Sequence, residues 1–264
     1  MAKGNDGNLL QHGIEAEIAV HLAIDNSLHV VCTHGMKPFE PWENPRRNNR
    51  LVHWIGYATQ EEGNCEPAIV RAYRALQVSP ERYPNTGEIV ASLLTREKLT
   101  GFISEVCPEK LSGLRQAWSS TGVIALFGSW RQHLGTFQEA PPDRPWLFTM
   151  DPMSFFPDQA NNQDDDRLYP LDLHARLRPV WERFLATEEP GAISLFSFEL
   201  MRGPGTDRYQ LFLDHTRAIA RNLGVEIESF EVSYGNPHVG AVLTKDKELL
   251  RHLGSSWKRL HDMT

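Results

Sequence analysis

The chain has 264 residues, 41% hydrophobic and 23% charged, enough for a sizeable core without disulfide staples. Its formal net charge of −7 argues against a polynucleotide partner, since proteins that live on nucleic acid usually carry a basic surplus. Three separated cysteines, Cys32, Cys65 and Cys107, form no CxxC pair; they read as reduced thiols of a cytoplasmic protein rather than a zinc or redox centre. No run of 18 apolar residues marks a membrane span, and the start MAKGNDGN has no signal-peptide core.

Apolar residues at helical spacing, Leu9, Leu10, Ile14, Ile18 and Leu22, predict an amphipathic helix over 8–24, with Asn8 able to cap it. LHVVCTH (28–34) is a short apolar strand, and the Pro-, Asn- and Arg-rich stretch 37–49 is loop. Two helices follow, near 50–60 and 66–77, with no strand between them. They read as a helical insertion over about 44–84. Beyond YPNTG (83–87) strands and helices alternate: IVASLLTRE helix, GFISEV strand, PEKLSGLRQAW helix with Pro108 in its first turn, GVIALF strand, a short helix at SWRQHL, WLFTM strand. Helices over 171–186 and 207–223 flank a strand at 192–200. VEIESFEVS and HVGAVLT pair as a hairpin within 225–244, and a last helix ends the chain. The pattern predicts one α/β unit over 1–264, with a mainly parallel sheet of about seven strands. The run Asp164, Asp165, Asp166 reads as a solvated loop; a metal site would need a turn that gathers its oxygens.

The order of short motifs carries more. GNDGNLLQH, CTHG after the first strand, RYPNTGEIVASLLTRE, ISEVCPEK and a strand-end MDP resemble, in that order, the blocks of the RlmJ family of ribosomal RNA adenine methyltransferases. The resemblance is remote and spans nearly the whole chain. It implies a Rossmann-like class I methyltransferase sheet, mostly parallel with a C-terminal antiparallel hairpin, that binds S-adenosylmethionine (SAM) at the carboxyl ends of its strands. Carried over motif by motif, His12, His34, Thr86, Glu105, Gly128 and Asp151 would line the cofactor site. Each has its own reading. Glu105 ends the second core strand, where a carboxylate can accept both ribose hydroxyl protons; it could equally be a surface acid. His34 could hold the cofactor's carboxylate, or be structural. His12 could simply lie on a helix face, and Thr86 could be a helix N-cap.

This sequence also departs from the family pattern. Cys32 stands where the family has an acid, the glycine-rich loop is reduced to Gly35 before Met36-Lys37-Pro38, and Phe127-Gly128 replaces an acid-glycine pair. The family's DPPY becomes Asp151-Pro152-Met153-Ser154, with Phe155 and Phe156 next. The acid that accepts an amine proton is kept, and the base-stacking ring is displaced. Asp151 is therefore the candidate catalytic residue. Phe155, Phe156 or Trp42 could cradle a sulfonium or a substrate by cation–π contact. These features favour a SAM-using enzyme on a small molecule or amine, by methyl transfer or by intramolecular cyclisation that expels methylthioadenosine. The alternatives are an RNA or DNA adenine methyltransferase with a relaxed motif, for which Arg46, Arg47 and Arg50 would be the basic patch, and an inactive SAM-binding protein.

Overall fold

In the computed structural model, residues 6–35, 37–41, 49–60, 66–140, 142–151, 154–155, 167–197, 202–203, 206–232 and 238–262 are described. The central sheet has seven strands: β1 Leu28–Cys32, β2 Leu99–Glu105, β3 Gly122–Phe127, β4 Trp146–Met150, β5 Gly191–Ser197, β6 Glu226–Val232 and β7 His238–Thr244. Their spatial order is 3-2-1-4-5-7-6. The first five run parallel, with β1 paired to β2 through Leu28↔Leu99 and to β4 through His29↔Trp146. β7 alone runs the other way, inserted antiparallel between β5 and β6. This is the Rossmann-like class I methyltransferase sheet, as expected. The hairpin is β6–β7, and its second strand lies against β5.

β1 and β4 are buried at every position, the pattern of parallel strands covered on both faces. On one face Val31, Phe102, Phe148 and Ile193 pack under Trp181 and Phe184 of α7 (Arg178–Leu185) and Phe212 and Ile219 of α8 (Arg208–Leu223). On the other, Val30, Cys32, Ile103 and Leu147 meet Leu10, Ile14 and Ile18 of α1 (Asp6–Leu22), Leu114 of α5 (Pro108–Ala117) and Leu249 of α9 (Lys247–Asp262).

The helical insertion is present. Its helices, α2 (Asn49–Ala58) and α3 (Ala68–Leu76), lie between two short strands, Phe39–Glu40 and Tyr83–Pro84, that pair antiparallel and close its neck. Trp54, Ile69 and Tyr73 pack on the outer side of α1 against Leu9 and Ala16. Thus α1 is not a surface amphipathic helix. It is sandwiched between sheet and insertion, and Gln11, His12, Glu15 and Glu17 are all buried with the apolar residues. Asn8 lies inside α1 rather than capping it.

Candidate functional site

The carboxyl ends of β1, β2 and β4 meet where a doubly wound sheet reverses strand order and opens a crevice. After β1 the chain turns sharply. The Gly35 N–H donates to Ser104 O at 2.6 Å, and a Cβ on Gly35 would stand 2.9 Å from that oxygen and 3.0 Å from Glu105 Cβ. The single glycine left in this loop is thus the one position where the backbone must lie flat on β2.

His34 precedes it. The Asp151 N–H donates to His34 Nδ1 at 3.3 Å, and Thr33 Oγ1 sits 2.7 Å from the same nitrogen. With Nδ1 an acceptor, the neutral ring carries its proton on Nε2 and presents it as a donor. Thr33 is fixed in turn: its N–H donates to Thr149 O at 3.1 Å, while its hydroxyl, whose proton points at Nδ1, lies 3.3 Å from that oxygen. Residues 116 positions apart are thereby tied, and His34 is held against the start of the Asp151 turn.

Glu105 ends β2 and is 5% exposed. Its Oε1 accepts the Cys107 N–H at 2.7 Å, while Oε2 is buried with no hydrogen-bond partner among the described residues. Burial raises its pKa, opposed by that backbone bond and by Lys110 and His34. Gly128 follows β3 with φ of +121°, a conformation that favours glycine, and its N–H donates to Glu105 O at 3.0 Å. Ends of β2 and β3 are so held side by side.

Cys32 lies beneath these groups. Burial pushes its thiol up to about 12, with Glu15, Asp151 and Glu105 adding to the effect. Three acids, from α1, β2 and the turn after β4, thus surround the end of β1.

Thr86 opens α4 (Thr86–Leu93), but the cap is Asn85, whose side chain accepts the Glu88 N–H at 2.8 Å; Thr86 is buried and bonds Glu15 instead. His12 faces the insertion neck. Its Nδ1 is 2.6 Å from Tyr83 Oη, and burial lowers its pKa to about 3, so it is neutral. Tyr73 Oη donates to Tyr83 Oη at 3.2 Å behind it.

The aromatic expectation needs correction. Phe155 is fully buried, its ring 5.6 Å from Phe212 and 5.8 Å from His215, so it is core rather than an open cradle for a ligand. Phe156, Trp42, Asp164, Asp165, Asp166, Arg46 and Arg47 lie outside the described residues, as does the side chain of Arg50.

Sequence reading missed Glu15, fully buried at the middle of α1, whose neighbours include Thr149 and Thr86. In the sequence Gln11, Glu15 and Glu17 stand within two turns of the helix 8–24, and nothing in their spacing marks them as buried. No group of three or more His, Cys, Asp or Glu fit to hold a metal occurs among the described residues. None of the described helices is long and apolar enough to cross a membrane.

No protein-family model matches the chain, and no curated protein matches it. Among solved structures it is similar to protein LPL1258 from Legionella pneumophila, which carries the family-model designation DUF519. Identity is 12%, covering 98% of this chain and 93% of that one, with a TM-score of 0.68. A putative rRNA methylase from Clostridium thermocellum is 9% identical over 89% of this chain and 97% of its own, with a TM-score of 0.42. An O-methyltransferase from Bacillus cereus in complex with SAH is 10% identical over 91% and 80%, with a TM-score of 0.40. The likeness to the Legionella protein establishes the shared fold.

Proposed function

We propose that the protein is a SAM-using enzyme that acts on a small amine, with the cofactor seated at the carboxyl ends of β1, β2 and β4. Glu105 carries this reading. A buried carboxylate oxygen without a donor costs on the order of 1–3 kcal/mol, and the hydroxyl pair of a ribose supplies the missing donor. The rest of the site suits the remainder of that molecule. His34 Nε2 offers a proton to its carboxylate. Glu105 and Asp151 set a negative field that favours its sulfonium and ammonium charges.

When bound, SAM supplies an electrophilic carbon and a good leaving group. The chain's own part is to orient and to move a proton. Asp151 stands at the tip of β4, with its N–H anchored on His34, and accepts a hydrogen bond from the attacking amine. The amine belongs either to a second molecule, giving methyl transfer, or to the cofactor itself, giving cyclisation and methylthioadenosine. A ribosomal RNA acceptor fits less well. The chain carries a net charge of −7, and the same acidic field opposes phosphate.

Incubating SAM with pure protein, alone and with simple amines, and following it by mass spectrometry tests this. S-adenosylhomocysteine with an amine, or methylthioadenosine without one, supports the reading. Turnover only with ribosomal RNA, or none, contradicts it.

A further inference from the structure

Glu15 has no role in the reading above, and its surroundings give it one. Its Oε1 accepts from Thr149 Oγ1 on β4, from Ser194 Oγ on β5 at 3.2 Å and from Gln11 Nε2 at 3.3 Å; Thr86 on α4 also hydrogen-bonds the carboxyl. Oε2 is buried with no hydrogen-bond partner among the described residues. All of these donors are neutral. A dry carboxyl with only neutral donors is favoured as the acid, because charge there is uncompensated. Burial raises its pKa to about 7 even against those bonds.

Among the described residues, the titratable groups on the surrounding elements do not supply a cation. Cys32 on β1 is a thiol held protonated. Glu88 on α4 is taken by Arg96, with Nη2 2.9 Å from Oε1. Tyr73 on α3 bonds Tyr83, and His252 on α9 bonds Glu17 at 2.8 Å. On β7 the buried titratable residue is His238, and the acids Glu105 and Asp151 stand at the end of β2 and just past β4. Those two acids and Glu15 act together on the Cys32 thiol. Thr149, whose hydroxyl donates to Glu15, also holds Thr33 and through it His34, so a cation seated at the ends of β1 and β4 would favour the ionised form of Glu15.

We propose that Glu15 is a positioning residue that holds a proton in the ligand-free protein and releases it to solvent when the sulfonium of SAM binds beside Cys32. The inference rests on the cofactor reading above. Its sign follows from linkage. A ligand that lowers the Glu15 pKa binds more tightly as pH rises towards the ligand-free pKa, and its affinity levels off above it.

Calorimetry of SAM binding at pH 6.5, in two buffers of different ionisation enthalpy, counts the protons released. The wild type should release a measurable fraction of one proton, and its affinity should fall by up to about tenfold per pH unit below pH 7. Glu15→Gln, which keeps the acceptor oxygen, should release none and show a flat profile. Thr149→Val removes one stabilising donor and should move the release window to higher pH, an independent check if the Gln variant folds poorly. SAM binding by the wild type without proton release, or equal release from Glu15→Gln, overturns the inference and leaves the cofactor reading standing. Absence of SAM binding at any pH overturns both. Infrared spectra add a ligand-free readout. A carboxylic-acid C=O band below pH 7 that Glu15→Gln lacks is expected, and its absence from the wild type overturns the inference.

Discussion

The backbone N–H of Asp151 donates to Nδ1 of His34 at 3.3 Å, joining the loop after β1 to the turn after β4. This bond fixes two things together: the direction of the His34 Nε2–H and the place where the Asp151 carboxyl leaves the sheet. His34→Ala should therefore weaken SAM binding by about tenfold, the scale for losing a hydrogen bond to a charged group. Fluorescence or calorimetric titration checks it. Unchanged affinity would make the ring a purely structural link.

Asp151→Asn keeps shape and one acceptor oxygen but loses charge. Turnover should drop by roughly two to four orders of magnitude, the usual range for a positioned acid or base. SAM affinity should change far less, and Tm by no more than about 3 °C, equivalent to roughly 1 kcal/mol in a chain of this size. A fully active variant, or one that unfolds, would reduce Asp151 to a cap on its strand.

Stability should carry the signature of Glu15. Its folded pKa of about 7 lies above the ordinary value of 4.5, so the native state holds a proton that the unfolded chain gives up. The contribution is complete below about pH 4.5 and is lost as pH rises to about 7, amounting to ~3 kcal/mol. Denaturant melts of wild type and Glu15→Gln across pH 4.5–8 should diverge by that order, the variant losing less stability as pH rises. Parallel curves would contradict the assignment.

Much of the fold was legible because its strands are short apolar runs with polar punctuation. WLFTM and HVGAVLT coincide with β4 and β7 residue for residue. The βα alternation gave the parallel sheet, and Pro108 marked the start of α5. The burial of α1 was not legible. Periodicity finds one apolar stripe, whereas α1 is covered on its second side by the insertion, a tertiary contact that leaves Gln11, Glu15 and Glu17 inside without making them apolar. For the same reason Glu15 escaped notice, while Glu105 and Asp151 were visible as acids that end apolar runs. A one-residue offset separates the expected cap, Thr86, from the observed one, Asn85; both residue types cap helices, and only the side-chain geometry decides. Its place after Asp151 in the sequence makes Phe155 a candidate to line the site. It belongs instead to a two-residue strand paired with Arg167–Leu168, which turns its ring into the core against Phe212.

The central claim is that Glu105 receives the ribose of SAM with an oxygen that has no partner among the described residues. Calorimetric titration of SAM into wild type and Glu105→Ala tests it most directly. Losing a charged acceptor for two hydroxyls costs on the order of 1.5–3 kcal/mol, so the variant should bind at least about tenfold more weakly while melting at nearly the wild-type temperature. Equal affinity in the two proteins, or no binding of SAM to either, would contradict the account.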